Sequence, residues 1–201
     1  MRRFTDPKLV VASHNLGKIQ ELQDLLVPLG VAAISAAELG LGEPVEDGET
    51  FAANARIKAI AAMESSDLPA LADDSGLVVH GLGGAPGILS ARWARAAGGF
   101  DAAMARVEAE LNATEANDRS AHFVAALALV WPDGHVENFE GRVDGILVWP
   151  SRGAGGFGYD PMFVPDGYEQ TFGQMDPGIK YAISHRADAF RKLIDGCFGD
   201  Q

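Results

Sequence analysis

Residues 9–30 read LVVASHNLGKIQELQDLLVPLG, and this stretch decides the fold class. Four apolar residues, 9–12, are followed at once by a polar turn and then by leucines and isoleucines at helical spacing. A short apolar run predicts a buried strand, and the spacing after it predicts an amphipathic helix that ends at Gly30. Strand, tight turn and helix in that order indicate an α/β protein.

The rest of the chain continues the alternation of strands and helices and then changes to a long hairpin. The pattern predicts a strand at 31–34, a helix capped by Thr50 that runs to about residue 63, two strand pieces within 71–82, helices at 88–97 and 100–112, strands at 122–131 and 135–148 with bulges or bends at Gly141 and Gly145, and one final helix from Pro177 to Ile194 capped by Asp176. We therefore expect a mixed sheet flanked by helices.

Composition limits the kinds of protein that this chain can be. Its 201 residues, 47% of them hydrophobic, predict a single domain spanning 1–201. A net charge of −12 argues against general nucleic-acid binding, which needs clustered Lys and Arg. The longest apolar run, 123–131, is too short for a membrane span, and residues 1–7 lack the apolar run of a secretory signal. One cysteine, Cys197, favours a reducing compartment, so we expect a cytoplasmic protein.

The polar turn at 13–18, SHNLGK, is the first candidate site. A helix that starts directly after a strand presents unpaired backbone N–H groups and the positive end of its dipole, and Lys18 lies one turn further on. These features suit a phosphate group. Since the turn lacks the glycines of a P-loop, a plain helix cap with a surface lysine explains it as well.

A second candidate site combines Asp73-Asp74-Ser75-Gly76, at the end of an apolar segment, with the acidic loop 43–49. Carboxylates are the hard oxygen ligands that Mg²⁺ takes along with substrate phosphates. A carboxylate there can also accept a proton from an attacking water. The alternative is an Asp-Ser-Gly turn beside a solvated acidic loop.

Two further groups of residues can bind a nucleoside. Residues 152–161, RGAGGFGYDP, expose backbone at four glycines and place Phe157 and Tyr159 where they can stack on a base. Lys180, Ser184, His185 and Arg186 fall on the expected final helix. A flexible loop with packed aromatic residues and a solvated basic helix face are the alternatives.

The order of these motifs resembles the inosine triphosphate pyrophosphatase family, whose members hydrolyse noncanonical purine nucleoside triphosphates. The resemblance covers nearly the whole chain. Its motifs are Ser-x-Asn-x-x-Lys at 13–18, Glu46 with Thr50-Phe51 and Asn54-Ala55, Ala72 to Leu77, Gly84 to Gly87 with Ser90-Ala91-Arg92, Gly141, Gly145, Gly156 to Pro161, and Ile183 to Arg186. One departure is Gly173-Gln174, where many relatives carry Ala-Glu.

The resemblance implies an activity and a role for each matched position. It implies hydrolysis of ITP, dITP and XTP to the monophosphate and pyrophosphate with Mg²⁺, in a homodimer with an elongated mixed sheet, two lobes and a central nucleotide cleft. Asp74 is implied as proton acceptor and Glu46 and Asp74 as metal ligands; the implied substrate contacts are Ser13, His14, Asn15, Leu16, Gly17, Lys18, Ser75, Phe157, Gly158, Tyr159, Asp160, Lys180, His185 and Arg186. The rival hypotheses are a Maf-like nucleotide pyrophosphatase, a nucleotide-binding regulator without turnover and a purely structural dimer module.

Overall fold

The computed structural model describes residues 1–114 and 118–199, without the side chains of Leu16 and Glu21. Its strands are β1 (Lys8–Val11), β2 (Ala32–Ser35), β3 (Ala70–Val79), β4 (Ser120–Val130), β5 (Val136–Leu147) and β6 (Phe163–Pro165). Its α-helices are α1 (Leu16–Leu26), α2 (Phe51–Ser66), α3 (Ser90–Ala97), α4 (Phe100–Ala113), α5 (Pro177–Ile183) and α6 (His185–Leu193). No helix in these two ranges is long and apolar enough to cross a membrane.

The strands form one mixed sheet in the order β2-β1-β3-β4-β5-β6. β1 pairs in parallel with β2 and β3, and β5 pairs with β6 in antiparallel orientation. The strand, turn and helix predicted from residues 9–30 are present as β1 and α1. A 3₁₀ turn, Val27–Leu29, follows α1, and Gly30 ends it in the left-handed conformation at φ 71°. The mixed α/β sheet predicted from the sequence is confirmed.

The chain divides into two compact units, and the first comprises 1–74, 125–141 and the stretch from 188 onward. In this unit β4 is buried on both faces. The odd-numbered residues 125–131 of β4 pack with α1 and α6, whereas the even-numbered Ala126, Ala128 and Val130 pack against α2. Alanines at 55, 59 and 62 form the inner face of α2, and their small side chains let that helix lie close to the sheet.

The second unit comprises 75–124 and 142–187, and its core is rich in aromatic side chains. Phe123 makes a T-shaped contact with Phe163, whose ring lies 5.2 Å from that of Phe172. Helix α4 adds Met104, Val107 and Leu111 to the same core, as its spacing predicts. At Gly145, opposite Pro165, a Cβ atom would lie 2.2 Å from the Val164 carbonyl oxygen, so the close approach of β5 and β6 requires glycine there.

Two predicted elements are wrong in extent. β3 is one continuous strand and not two pieces around Asp73-Asp74-Ser75-Gly76. The polar residues do not interrupt it because Lys18, Lys58 and Arg186 meet their side chains.

The final helix is two helices, because Ser184 is extended at φ −70° and ψ 156°. Its hydroxyl accepts the Ala187 N–H at 3.1 Å and so caps α6. The continuous periodicity predicts that Lys180 and Ser184 share one helix face. This prediction is wrong, because the helix ends before Ser184.

Candidate active site

The turn between β1 and α1 is organised by its own side chains. Asn15 Oδ1 accepts the backbone N–H groups of Gly17 at 3.0 Å and Lys18 at 3.2 Å, and Ser13 Oγ accepts the N–H of Asn15 at 3.2 Å. Asn15 is thus the N-cap of α1, as a strand-to-helix turn of this composition predicts. The Leu16 side chain, also among the expected substrate contacts, lies outside the described atoms.

His14 points from this turn toward the acidic loop. Its Nε2 donates to the Leu41 carbonyl at 2.8 Å, and its Nδ1 lies 3.3 Å from a carboxylate oxygen of Glu43. Both partners are acceptors. The ring therefore ties the start of the acidic loop to the turn, a supporting contact that the sequence did not reveal.

A charged cluster joins the turn, the acidic loop and β3. Lys18 forms an ion pair with Asp73, whose side chain is fully buried. Lys58 Nζ lies 2.9 Å from Glu46 Oε1 and 3.0 Å from Asp74 Oδ1. One ammonium group thus bridges the two carboxylates that the sequence predicts as metal ligands.

Sequence reasoning missed Lys58, although a signal was present. Lys58 follows Asn54 by one helical turn on α2, a helix that is otherwise largely alanine on its inner side. Asn54 is fully buried, and its Oδ1 accepts the Gly48 N–H at 2.9 Å, which fixes the loop two residues after Glu46. A lysine in register with such an asparagine is a candidate for the same site.

Burial sets the protonation behaviour of this cluster. Burial raises the pKa of the Asp74 carboxyl above its usual value, against the opposing attraction of Lys58. Burial alone would lower the pKa of Lys58, but the charges of Asp74 and Glu46 outweigh it and raise that pKa. The ammonium therefore stays charged, and Asp74 is a stronger base than an exposed aspartate.

These residues fit a hydrated Mg²⁺ ion. Asp74 Oδ2 is buried and has no hydrogen-bond partner among the described residues, and the Glu46 side chain is 33% exposed. Residues 1–114 and 118–199 contain no group of three or more His, Cys, Asp or Glu that could hold a metal. Mg²⁺ needs only one or two carboxylates, because it keeps several waters and binds substrate phosphates.

The second unit contains the glycine-rich loop, which closes around the Asp160 carboxylate. Asp160 Oδ2 accepts the Phe157 N–H and the Lys180 ammonium, each at 2.5 Å. Gly156 has φ +78°, and a Cβ there would lie 2.4 Å from Asp160 Oδ2. The loop can take this shape only with glycine at 156.

The aromatic residues of the loop differ in exposure. The Phe157 side chain is 52% exposed, which suits stacking on a base. Tyr159 is buried, and its hydroxyl donates to the Ser90 carbonyl at 3.0 Å. Burial raises the pKa of Tyr159 to about 12, so its hydroxyl stays protonated. Tyr159 therefore anchors the loop to the core of the second unit.

Lys180 of α5 and the first two residues of α6, His185 and Arg186, also lie in the second unit. The His185 ring stacks on Phe123 with centroids 5.0 Å apart and 16° between the planes. An Arg186 guanidinium nitrogen donates to Ser75 Oγ at 3.2 Å. Arg186 and His185 are both buried, which excludes the solvated basic face that the sequence left open for these two residues.

The turn 171–175 holds the glycine-rich loop. Gln174 Oε1 accepts the Thr171 N–H at 3.1 Å, and Thr171 Oγ donates to the Arg152 carbonyl at 2.7 Å. The Gly155 N–H donates to the Gly173 carbonyl at 2.9 Å. The side chain at 174 thus acts as a local acceptor within its own turn.

A model of the Ham1 family matches residues 9–196. The chain belongs to the Ham1 family. Among its relatives is a dITP/XTP pyrophosphatase of Bradyrhizobium sp. (strain BTAi1 / ATCC BAA-1182), 58% identical over 94% of both chains. Another, from Zymomonas mobilis, is 57% identical over 98% of this chain and 94% of its own.

Solved structures of Ham1 proteins have the same fold. A HAM1 protein from Coxiella burnetii superposes with a TM-score of 0.86 at 37% identity, covering 94% of this chain and 96% of its own. A nucleoside-triphosphatase / dITP/XTP pyrophosphatase from Mycobacterium abscessus gives 0.78 at 40% identity, covering 93% and 98%. The family resemblance seen in the sequence motifs is confirmed, whereas the residue roles drawn from it stay predictions.

Proposed function

We propose that this Ham1-family chain hydrolyses ITP, dITP and XTP to the nucleoside monophosphate and pyrophosphate. The observation that carries the proposal is the Lys58-bridged pair of carboxylates, in which Asp74 keeps one buried oxygen without a partner among the described residues. The names of the relatives, dITP/XTP pyrophosphatases at 57–58% identity, support dITP and XTP as substrates.

In the proposed reaction the first unit acts on the triphosphate. The turn 13–18 and the ammonium groups of Lys18 and Lys58 bind phosphate oxygens. Asp74 Oδ2 takes a proton from water, whose oxygen bonds to the α-phosphorus, and the bond from that phosphorus to the α–β bridging oxygen breaks. Pyrophosphate leaves with the bridging oxygen. Glu46 and Asp74 would hold Mg²⁺, which when bound neutralises negative charge on the phosphates.

The second unit recognises the purine nucleoside in this proposal. Phe157 stacks on the base, and the loop 157–160 with Lys180, His185 and Arg186 supplies hydrogen bonds. ITP and XTP present a 6-oxo acceptor, whereas ATP presents a 6-amino donor. We propose Arg186 as the donor aimed at position 6. With ATP, this donor and the 6-amino group would face each other without acceptors, and each unpaired buried donor costs about 1 to 3 kcal/mol. We expect ITP to exceed ATP by about a hundredfold in kcat/KM.

We also propose that the chain works as one domain over 1–201, in the cytoplasm and as a homodimer. The family resemblance supports the dimer, and the single cysteine supports a reducing compartment. Sedimentation of the purified protein measures the oligomeric state.

The function is tested by pyrophosphate release from a nucleotide panel with and without Mg²⁺, using ¹⁸O-labelled water. We expect turnover of ITP, dITP and XTP, with the label in the monophosphate. Orthophosphate with a nucleoside diphosphate as first products would overturn cleavage at the α–β bond. Binding of the nucleotides without turnover would identify the regulator instead, and a preference for other nucleotides would favour the Maf-like alternative.

A further inference from the structure

Phe100, the first residue of α4, lies between the two aromatic residues of the glycine-rich loop. Its ring centroid is 5.0 Å from that of Phe157 and 5.4 Å from that of Tyr159. The interplanar angles are 68° and 82°, so both contacts are T-shaped. Such edge-to-face contacts are the favoured geometry of aromatic pairs.

One of these two contacts is with a fixed ring. Tyr159 is buried, and its hydroxyl is hydrogen-bonded to the Ser90 carbonyl at 3.0 Å. Burial and this hydrogen bond hold the Tyr159 side chain in place, and the Phe100 ring packs against it. The exposed Phe157 ring in turn packs against Phe100.

The backbone between the two loop aromatics also lies against Phe100. Gly158 has φ +70°, and a Cβ placed on it would lie 3.6 Å from the Phe100 Cε1 atom. The ring of Phe100 thus supports the peptide that follows Phe157 as well as the Phe157 side chain. A ring has two faces, and a single neighbour covers at most one of them, which agrees with the 52% exposure of Phe157.

We propose that Phe100 is a positioning residue for the base: it holds the Phe157 ring in the orientation in which its open face stacks on a purine. The inference rests on the proposed stacking role of Phe157. An exposed phenylalanine without such support samples several rotamers, and a ligand must select one of them on binding. Support from Phe100 removes that loss before the nucleotide arrives.

Two inhibitors that each contain half of the substrate test this role. IMP has the base and lacks the triphosphate, whereas inorganic tripolyphosphate has three phosphates and lacks the base. We expect Phe100→Leu to raise the inhibition constant of IMP and the KM for ITP by about three- to tenfold, the size of one aromatic contact. The inhibition constant of tripolyphosphate should not change, and kcat for ITP should stay within about twofold because the reacting groups are untouched.

A double-mutant cycle shows whether Phe100 acts through Phe157. In the Phe157→Leu background, Phe100→Leu should have a much smaller effect on IMP, since the Phe157 ring that it holds is no longer present. Equal effects in both backgrounds, or a parallel loss of tripolyphosphate binding, would overturn the proposal. If Phe157→Leu alone leaves IMP binding unchanged while ITP is turned over, the stacking role fails and the hydrolytic function stands.

Three further variants separate positioning from stability. Phe163→Leu also removes a T-shaped pair, with Phe123 at 4.7 Å, but it has no ring contact with Phe157. It should lower the melting temperature and leave IMP binding unchanged. Phe100→Met keeps the bulk without a ring, so it replaces Phe100→Leu if the latter does not fold. Phe100→Tyr keeps the ring and should therefore bind IMP as the unmodified protein does.

Discussion

The charged cluster of the first unit and the glycine-rich loop of the second are built by different means. In the cluster, Lys18 and Lys58 meet carboxylates on β3, so the geometry comes from charges carried by regular elements. In the loop, glycines at 156 and 158 with positive φ set the path of the chain, and one carboxylate, Asp160, closes it. The first region should therefore be sensitive to charge, and the second to volume and backbone conformation.

The largest effect should follow from replacing Asp74, the proposed base in the charged cluster. Asp74→Asn keeps the shape but offers neither a negative charge nor a proton acceptor at the position of Oδ2. We expect kcat for ITP to fall by about a thousandfold or more, within the range for loss of a general base. Pyrophosphate release measures this, and circular dichroism checks the fold. Turnover near that of the unmodified protein would remove Asp74 from the reaction.

Lys58→Met tests whether the cluster depends on its bridging ammonium. The variant removes the ammonium group that bridges Glu46 and Asp74, and breaking a buried pair costs about 3 kcal/mol. We expect a lower melting temperature without Mg²⁺ and a larger stabilisation on adding it, because a divalent cation can offset the same charges. Lys58→Arg is the control that keeps the charge. An unchanged response to Mg²⁺ in Lys58→Met would place the metal elsewhere.

The loop should respond to a single methyl group. In Gly156→Ala the new Cβ would lie 2.4 Å from Asp160 Oδ2 at a φ of +78°, so the hydrogen bonds around that carboxylate must shift. We expect about 1 to 3 kcal/mol of destabilisation together with a higher KM for ITP. Gly134→Ala is the control, since Gly134 also has positive φ but a Cβ added there would meet no atom of the described residues within 4 Å. Equal KM values of Gly156→Ala and Gly134→Ala for ITP would show that the glycine-rich loop does not take part in substrate binding.

The same contrast explains what the sequence could predict. Periodicity reveals β1, α1 and the hairpin of β4 and β5, because burial on a regular element repeats at a fixed spacing. It missed the break at Ser184, since a capping serine is compatible with the helical spacing on either side. Lys58 was missed because its role depends on Asp74, a strand residue that lies sixteen positions further along the chain.

The smallest effect should come from a charge change in the second unit that mirrors the one in the first. Gln174→Glu converts an amide to a carboxylate, the reverse of Asp74→Asn. The Gln174 Oε1 atom already accepts the Thr171 N–H at 3.1 Å, and a carboxylate oxygen can accept the same bond. The side chain is exposed, so water screens the added charge. We expect the melting temperature to change by less than about 2 °C and kcat/KM for ITP by less than about twofold.

Gln174→Leu is the matched control, because it loses the acceptor and should loosen the turn that receives the Gly155 N–H. A large change in kcat for Gln174→Glu with normal folding would assign that side chain to the reaction, and the distinction between a charge-built and a backbone-built region would not hold.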